Sequence, residues 1–230
     1  MCGRDTFKAT WAEVRAFSRP LPVITPSVDP VPNYNRAPTQ EGWAIVQAEV
    51  GGIALPMRWG LLPPWATDVR LASRTINARL ESVAERPAFR LAWQQRRCLV
   101  PSSGYYEWMQ PDSRTKLPYF IHRADAPVMF FAGLWEVRPD GDGGELLTYS
   151  IITRDADQSV ATLHDRMPLV LTAEVFGDWL HGSPNDAMAI AQSVPPPPLV
   201  FHPVDRAVGN VRNTGPELCE PVSGGDGLFR

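Results

Sequence analysis

The chain has 230 residues, 44% hydrophobic and 20% charged, a composition that suits one globular domain with a sizeable core. No apolar run approaches a membrane span and no basic-then-apolar leader opens the sequence, so a soluble protein of the reducing cytoplasm is expected. The net charge of -3 argues weakly against nucleic acid, yet Arg58 to Arg97 holds eight arginines against Asp68, Glu81 and Glu85, a local excess of +5.

Arginine outnumbers lysine twenty to two, which favours planar, bidentate contacts to phosphate, although a GC-rich genome would enrich arginine and the 24 prolines as well. The three cysteines, Cys2, Cys98 and Cys219, form neither a disulfide framework nor a CxxC metal pair, and no cofactor or metal is expected.

The start of the chain, Met1-Cys2-Gly3-Arg4, carries a chemical possibility. Removal of Met1 would leave Cys2 as a 1,2-aminothiol. Its amine can condense with an aldehyde to an imine, and its thiol can close on the imine carbon to give a five-membered thiazolidine. Cys2 is otherwise an incidental second residue.

Thr10 and Glu13 match a capping box that opens a helix to about Phe17, and Pro20 to Pro32 reads as a loop. Asn33 to Thr39 is turn-rich, and its polar side chains and Pro38 could lie on a binding surface or simply make a turn. Ala44 to Val50 and Ile53 to Trp59 are strands joined by a hairpin at Gly51-Gly52. Trp65 follows in a proline-rich loop, either as a core residue or as a stacking platform for a nucleobase. Thr75 to Glu81 alternates apolar and polar residues, which puts Asn77 and Arg79 on one face of an extended segment, and Pro87 to Gln95 reads as helix.

Cys98 to Val100, Gly104 to Met109, Leu117 to His122, Val128 to Val137 and Leu146 to Thr153 are five further strands, with Pro139 to Gly144 as a hairpin loop. Glu107 sits among aromatics in Gly104-Tyr105-Tyr106-Glu107-Trp108, where burial would raise its carboxyl pKa. Asp155 to Leu163 reads as a short helix delivering His164-Asp165-Arg166, and Leu169 to Leu171 as a strand. His164, flanked by a carboxylate and a guanidinium, is the best acid-base candidate of the four histidines, with a structural role as the alternative. Thr172 to Leu180 and Ser183 to Ala191 read as helices, Phe201 to Val204 as a returning strand and Ser223 to Gly227 as a tail after a single domain over 1–222. The expected class is α+β, a mainly antiparallel, partly closed, barrel-like sheet flanked by short helices.

Eight ordered blocks, MCGR at Met1, NYNRAPTQ at Asn33, RWGLLPPW at Arg58, INARLE at Ile76, GYYEW at Gly104, AGLWE at Ala132, LHDRMPLVL at Leu163 and HPVDRAVGNVRNTGPEL at His202, resemble the SRAP (SOS response-associated peptidase) family over nearly the whole chain. The resemblance implies an abasic-site processing protein that binds single-stranded DNA and links covalently, through a thiazolidine at mature Cys2, to the ring-opened aldehyde of the lesion. It also implies self-processing of the N-terminus, and replication-fork proteins as partners of a monomer. Carried over by residue, Asn77 would orient the sugar, and Glu107 and His164 would move protons. Arg4, Arg79, Arg86 and Arg166 would grip phosphates with help from Thr153, and Trp65, Pro38 and Trp108 would stack on bases. Asn33 and Ser102-Ser103 depart from the family's usual charged residues, which bears on the phosphate grip near those loops. Two alternatives remain: an N-terminal-nucleophile glutamine amidohydrolase, whose members also start Met-Cys-Gly, and a non-covalent single-strand binder in which Cys2 is idle.

Overall fold

The computed structural model describes residues 2–110 and 116–222. Its elements in order are β1 (Asp5–Phe7), α1 (Trp11–Phe17), β2 (Val23–Ile24), β3 (Asn33–Arg36), β4 (Glu41–Gln47), β5 (Gly52–Trp59), β6 (Asn77–Arg79), α2 (Arg90–Gln95), β7 (Arg97–Ser102), β8 (Gly104–Met109), β9 (Leu117–Arg123), β10 (Met129–Pro139), β11 (Glu145–Asp155), β12 (Arg166–Pro168), β13 (Val170–Leu171), α3 (Phe176–His181), α4 (Pro184–Ser193) and β14 (Leu199–Pro203). Sheet dominates and the helices are short, which is the expected α+β class.

One sheet runs β12-β11-β10-β7-β4-β5-β2, and a parallel seam between β11 and β5, with Thr148 opposite Arg58 and Tyr149 opposite Trp59, closes five of its strands into a ring. Strand alternation then gives that ring an inside and an outside. Ile45, Leu99, Ala132 and Ile152 share a hydrophobic cluster with Trp11 of α1, Trp93 of α2, Trp179 of α3 and Ala187 of α4, so this face is the outside, covered by helices. Val46, Cys98, Val100, Phe131, Tyr149 and Ile151, each an odd number of positions from one of these on the same strand, belong to a second cluster that fills the inside. Burial of each large apolar side chain there contributes on the order of 1.5–3 kcal/mol.

The β4–β5 hairpin needs Gly51, whose φ of +73° lies in the left-handed region. At Gly42 the constraint is space, since a Cβ would stand 2.6 Å from the Tyr149 hydroxyl and against the Arg36 guanidinium. Helix α1 begins at the reciprocal capping box of Thr10 and Glu13, and α4 at the equivalent pair Ser183 and Asp186 with Pro184 in its first turn.

The second sheet, β14-β9-β8-β1-β3, is joined to the barrel most directly at Ser103, the one residue between β7 and β8. Strand β1 pairs with β8 through Asp5 opposite Tyr105 and Thr6 opposite Gly104, and the Tyr106 amide donates to the Arg4 carbonyl at 2.9 Å. Continued toward the N-terminus, this ladder sets Gly3 opposite Glu107, which brings Cys2 to the end of β8 that carries the acid.

Several elements differ from the sequence reading. Asp155 to Leu163 is not a helix: β11 runs on to Asp155 to pair with β12, and the Asp157 side chain takes the Ser159 amide into a local turn at 2.8 Å, so 157–163 forms turns. The expected helix at Pro87 to Gln95 starts only at Arg90, and that at Thr172 begins as a 3-10 turn, Ala173–Val175, before α3. Asn33 to Arg36 is strand rather than turn, and Val23–Ile24 interrupts the proline-rich loop. The tail from Ser223 lies outside the described residues.

Candidate functional site

Cys2 is completely buried in the cluster that holds Tyr105, Tyr149 and Met167. Its backbone carbonyl accepts from Asn77 Nδ2 at 2.8 Å. Asn77 reaches it because β6 is added in parallel to β11, with Asn77 opposite Ile151, Ala78 opposite Ile152 and Arg79 opposite Thr153. Burial pushes the Cys2 thiol well up, and the carboxylates of Asp5 and Glu107 add to the rise. A thiol so placed is a weak nucleophile until a base or a partner charge changes its surroundings.

Glu107 is 4% exposed on β8, and burial raises its carboxyl pKa, an effect that His164 opposes. Glu107 and His164 line one cleft of about 420 Å³ together with Trp108, Gln110, Lys116 and Gly209. A carboxyl whose neutral form is favoured by burial and an imidazole on the same cleft are groups suited to acid-base chemistry. The Tyr105 hydroxyl, buried and without a hydrogen-bond partner, completes the polar groups around Cys2.

Near Cys2 lies a buried ion pair. Asp5 and Arg36, neighbours across β1 and β3, form a two-pronged bridge in which Arg36 Nε donates to Asp5 Oδ1 at 2.7 Å and Nη2 donates to Oδ2. Both side chains are at most 2% exposed. Residues separated by 31 positions thus meet on adjacent strands, a pairing with no local signature in the sequence.

The residues expected to hold a strand occupy different settings. Arg4 is half-buried, with Nη1 donating to Asn35 Oδ1 and the Val208 carbonyl at 2.8 Å each, and its guanidinium lies 5.8 Å from the centre of the Trp108 ring. Asn35 in turn donates to the carbonyls of Val208, Asn210 and Asn213, which makes it a hub between β3 and the 208–213 loop. Pro38 and Trp108 are partly exposed, and Arg79 and Arg86 are exposed. Trp65 is 60% exposed and is no core residue; it walls a second cleft of about 480 Å³ with Asp68, Arg70, Ser73 and Arg74.

Two of the expected contacts face inward. Thr153 is fully buried, and its carbonyl accepts from Arg166 Nη2 at 2.8 Å. Arg166 is 8% exposed and its guanidinium is engaged by Glu81, at 2.7 and 3.0 Å, and by Asp155. That contact holds the Glu81 carboxyl below the usual range. A phosphate would reach Arg166 only by displacing a carboxylate. Asn35, Asp5, Arg36, Lys116 and Asp165 enter the site's surroundings without having been singled out by the sequence.

The described residues contain no group of three or more His, Cys, Asp and Glu able to hold a metal ion, and no helix among them is long and apolar enough to cross a membrane. The fold and site thus define a class: a closed barrel that buries the second residue of its own chain beside an acid of raised pKa, with a histidine cleft and an aromatic-basic cleft nearby. Residues 1–211 match the family described as SOS response associated peptidase (SRAP), and the chain belongs to that family. It is 35% identical over 231 residues to the abasic site processing protein YedK of Escherichia coli, covering 96% of this chain and 100% of that one. It is 33% identical over 224 residues to the abasic site processing protein YoqW of Bacillus subtilis, covering 96% and 99%. A crystal structure of a Bacteroides thetaiotaomicron protein shares the fold, with a TM-score of 0.78 at 24% identity over 96% of this chain and 100% of that one.

Proposed function

We propose that this protein processes abasic sites in single-stranded DNA by forming a covalent link through Cys2 after loss of Met1. The observation that carries the reading is the Asn77 bond to the Cys2 carbonyl, which fixes residue 2 beside Glu107 and its cleft. The relatives named abasic site processing proteins favour it over the amidohydrolase alternative.

Loss of Met1 is hydrolysis of the Met1–Cys2 amide, in which water supplies hydroxyl to the methionine carboxyl and hydrogen to the new amine; the protein's own site performs this step. The lesion enters as a cyclic hemiacetal. His164 takes the C1′ hydroxyl proton as the C1′–O4′ bond breaks, and Glu107 in its acid form gives a proton to O4′, leaving an aldehyde and a 4′-hydroxyl. The Cys2 amine adds to C1′, water leaves, and an imine remains. Sγ then bonds to the imine carbon and the thiol proton ends on the nitrogen, closing the thiazolidine. The net change is loss of one water.

The strand lies across two sets of groups. Arg4 and Trp108 flank the Glu107 cleft, while Arg79 and the Trp65 cleft extend the contact beyond Asn77. Intact mass spectrometry after incubation with a single-stranded oligonucleotide carrying one abasic site tests the proposal. The expected mass is the Met1-less protein plus the oligonucleotide minus one water, and absence of that species overturns the covalent reading.

A further inference from the structure

Two groups compete for one nitrogen of His164. The Arg166 backbone N–H points to Nδ1 at 2.9 Å, and Asp165 Oδ1 stands 2.7 Å from the same atom. A bare Nδ1 can accept from the amide but would face the carboxylate lone pair to lone pair. A protonated Nδ1 can donate to the carboxylate but would face the amide hydrogen to hydrogen. The two contacts therefore favour opposite forms of the ring. With Nδ1 bare, a neutral ring carries its hydrogen on Nε2; with Nδ1 protonated, a neutral ring carries its lone pair on Nε2.

We propose that Asp165 is a positioning residue that selects the Nδ1–H form of His164, so that Nε2 is the atom that accepts and returns protons in the cleft. This rests on the reading of His164 as a proton carrier in abasic-site processing. A carboxylate held 2.7 Å from a ring nitrogen outweighs a neutral amide donor at 2.9 Å, because a charge-assisted hydrogen bond is roughly twice as strong as a neutral one.

The surroundings decide how the preference is set. Across the cleft stand Glu107 on β8 and Lys116 just before β9. On the ring's own segment, Arg166 carries the nearest cation, but Glu81 and Asp155 neutralise it through direct contacts. Asp165 is thus the carboxylate in direct contact with Nδ1, and at 86% exposure of its side chain it is hydrated enough to release the ring without an uncompensated buried charge. The Arg166 amide then serves the opposite role. As the ring changes form it offers Nδ1 a donor, so each form of His164 has a hydrogen-bonded state.

In the reaction this fixes the path of one proton. The C1′ hydroxyl proton passes to Nε2, the ring becomes an imidazolium with Nδ1–H on Asp165, and reversal returns the same proton from Nε2 to the sugar oxygen. No proton moves to Asp165 in either direction.

The test uses wild type, Asp165→Asn and Asp165→Glu. The first readout needs no DNA: nitrogen-15 shifts of the His164 ring across pH report which nitrogen carries hydrogen. Wild type is expected as Nδ1–H in its neutral form, and Asp165→Asn is expected to move to Nε2–H. Asp165→Glu is expected to restore the wild-type pattern. Single-turnover crosslinking is the second readout, with Asp165→Asn expected to be slower by about tenfold, its pH profile displaced to lower pH and its affinity for DNA unchanged.

An identical ring pattern in wild type and Asp165→Asn overturns the proposal whatever the crosslinking shows. Wild type that forms no adduct while its ring behaves as described overturns the functional reading and leaves the tautomer assignment standing. Because Asp165 is exposed, all three proteins are expected to melt together, which separates the effect from misfolding.

Discussion

The Asn77 amide ties the carbonyl of Cys2 at 2.8 Å through Nδ2, while its own Oδ1 is buried with no hydrogen-bond partner. One end of the amide fixes Cys2 and the other is an acceptor held away from water. Asn77→Ala removes the tether and leaves the Cys2 carbonyl unpaired, a loss of about 1–3 kcal/mol that corresponds to roughly a tenfold to hundredfold slower crosslinking rate if it falls on the reactive geometry. Asn77→Asp, which keeps the shape and replaces the donor with a carboxylate, is expected to be no better. Single-turnover assays on the two variants check this, and wild-type rates in both would remove Asn77 from the site.

Cys2→Ser retains the amine and exchanges the thiol for a poorer ring-closing nucleophile. The imine is expected to form and to be trapped by borohydride, whereas the heat-resistant adduct is lost. Denaturing gels run with and without reductant distinguish the two. An equally heat-resistant adduct in Cys2→Ser would show that sulfur takes no part in the link.

Glu107 trades stability for chemistry. Burial raises its carboxyl pKa in the folded chain, so between the unfolded and folded values the native state binds more protons than the unfolded one. The stability associated with the neutral carboxyl is therefore complete below the unfolded value, about 4.3 for a free glutamate, and is lost as pH rises through the folded one. Glu107→Gln removes that loss. Its Tm is expected to exceed that of wild type by a few degrees at pH 8 and to match it near pH 4, while crosslinking slows at all pH values. Thermal melts at the two pH values measure the first effect, and a Tm difference that grows toward low pH would reverse the argument.

The groups proposed to grip the strand divide by their expected salt dependence. Arg79 and Arg74 are exposed, and replacing each with Gln is expected to flatten the salt dependence of binding by about 0.7 in log K per log salt for each phosphate that is no longer neutralised. Trp65→Ala acts through stacking, with a loss of roughly 1–3 kcal/mol in affinity and an unchanged salt slope. At 60% exposure, Trp65 is also expected to leave Tm unaffected. Binding titrations at several salt concentrations separate the three variants, and a changed slope in Trp65→Ala would assign it an electrostatic role.

The buried bridge near Cys2 makes a stability prediction. Arg36→Met strands the Asp5 carboxylate in the core and is expected to cost about 3–5 kcal/mol, whereas adding Asp5→Leu recovers most of it because both charges are then gone. Denaturant midpoints read the difference. Equal midpoints for the single and double variants would mean that the lone carboxylate finds water.

Much of the sheet is legible in the sequence because its strands alternate or run in β-branched and aromatic residues: Gly104 to Met109 shows both of its ends. Caps are equally clear, since Thr10 with Glu13 and Ser183 with Pro184 state their local geometry within a few letters. The stretch after Asp155 misleads because β11 and β12 pair on either side of it and make it the turn that joins them, so tertiary pairing overrides helical spacing. At the site, the burial of Glu107 follows from its aromatic neighbours. The inward setting of Thr153 and the carboxylates on Arg166 do not, for they depend on β6 docking beside β11. Trp65 admits two readings from its letters alone, and only the loop's path leaves it on the surface.

The seam between β5 and β11 also sets a clock. Cys2 shares its cluster with Tyr105, Tyr149, Met167 and Leu199, so the pocket around the second residue is completed only by chain made long after it. At synthesis rates of about 5–20 residues per second, the first residues spend on the order of ten seconds outside the ribosome before those partners exist. An external aminopeptidase therefore has its opportunity on the nascent chain, while Cys2 is still in solvent. Once Tyr149 pairs with Trp59 and the ring is shut, that opportunity closes, so the nascent chain is the form in which an external enzyme meets the amino terminus.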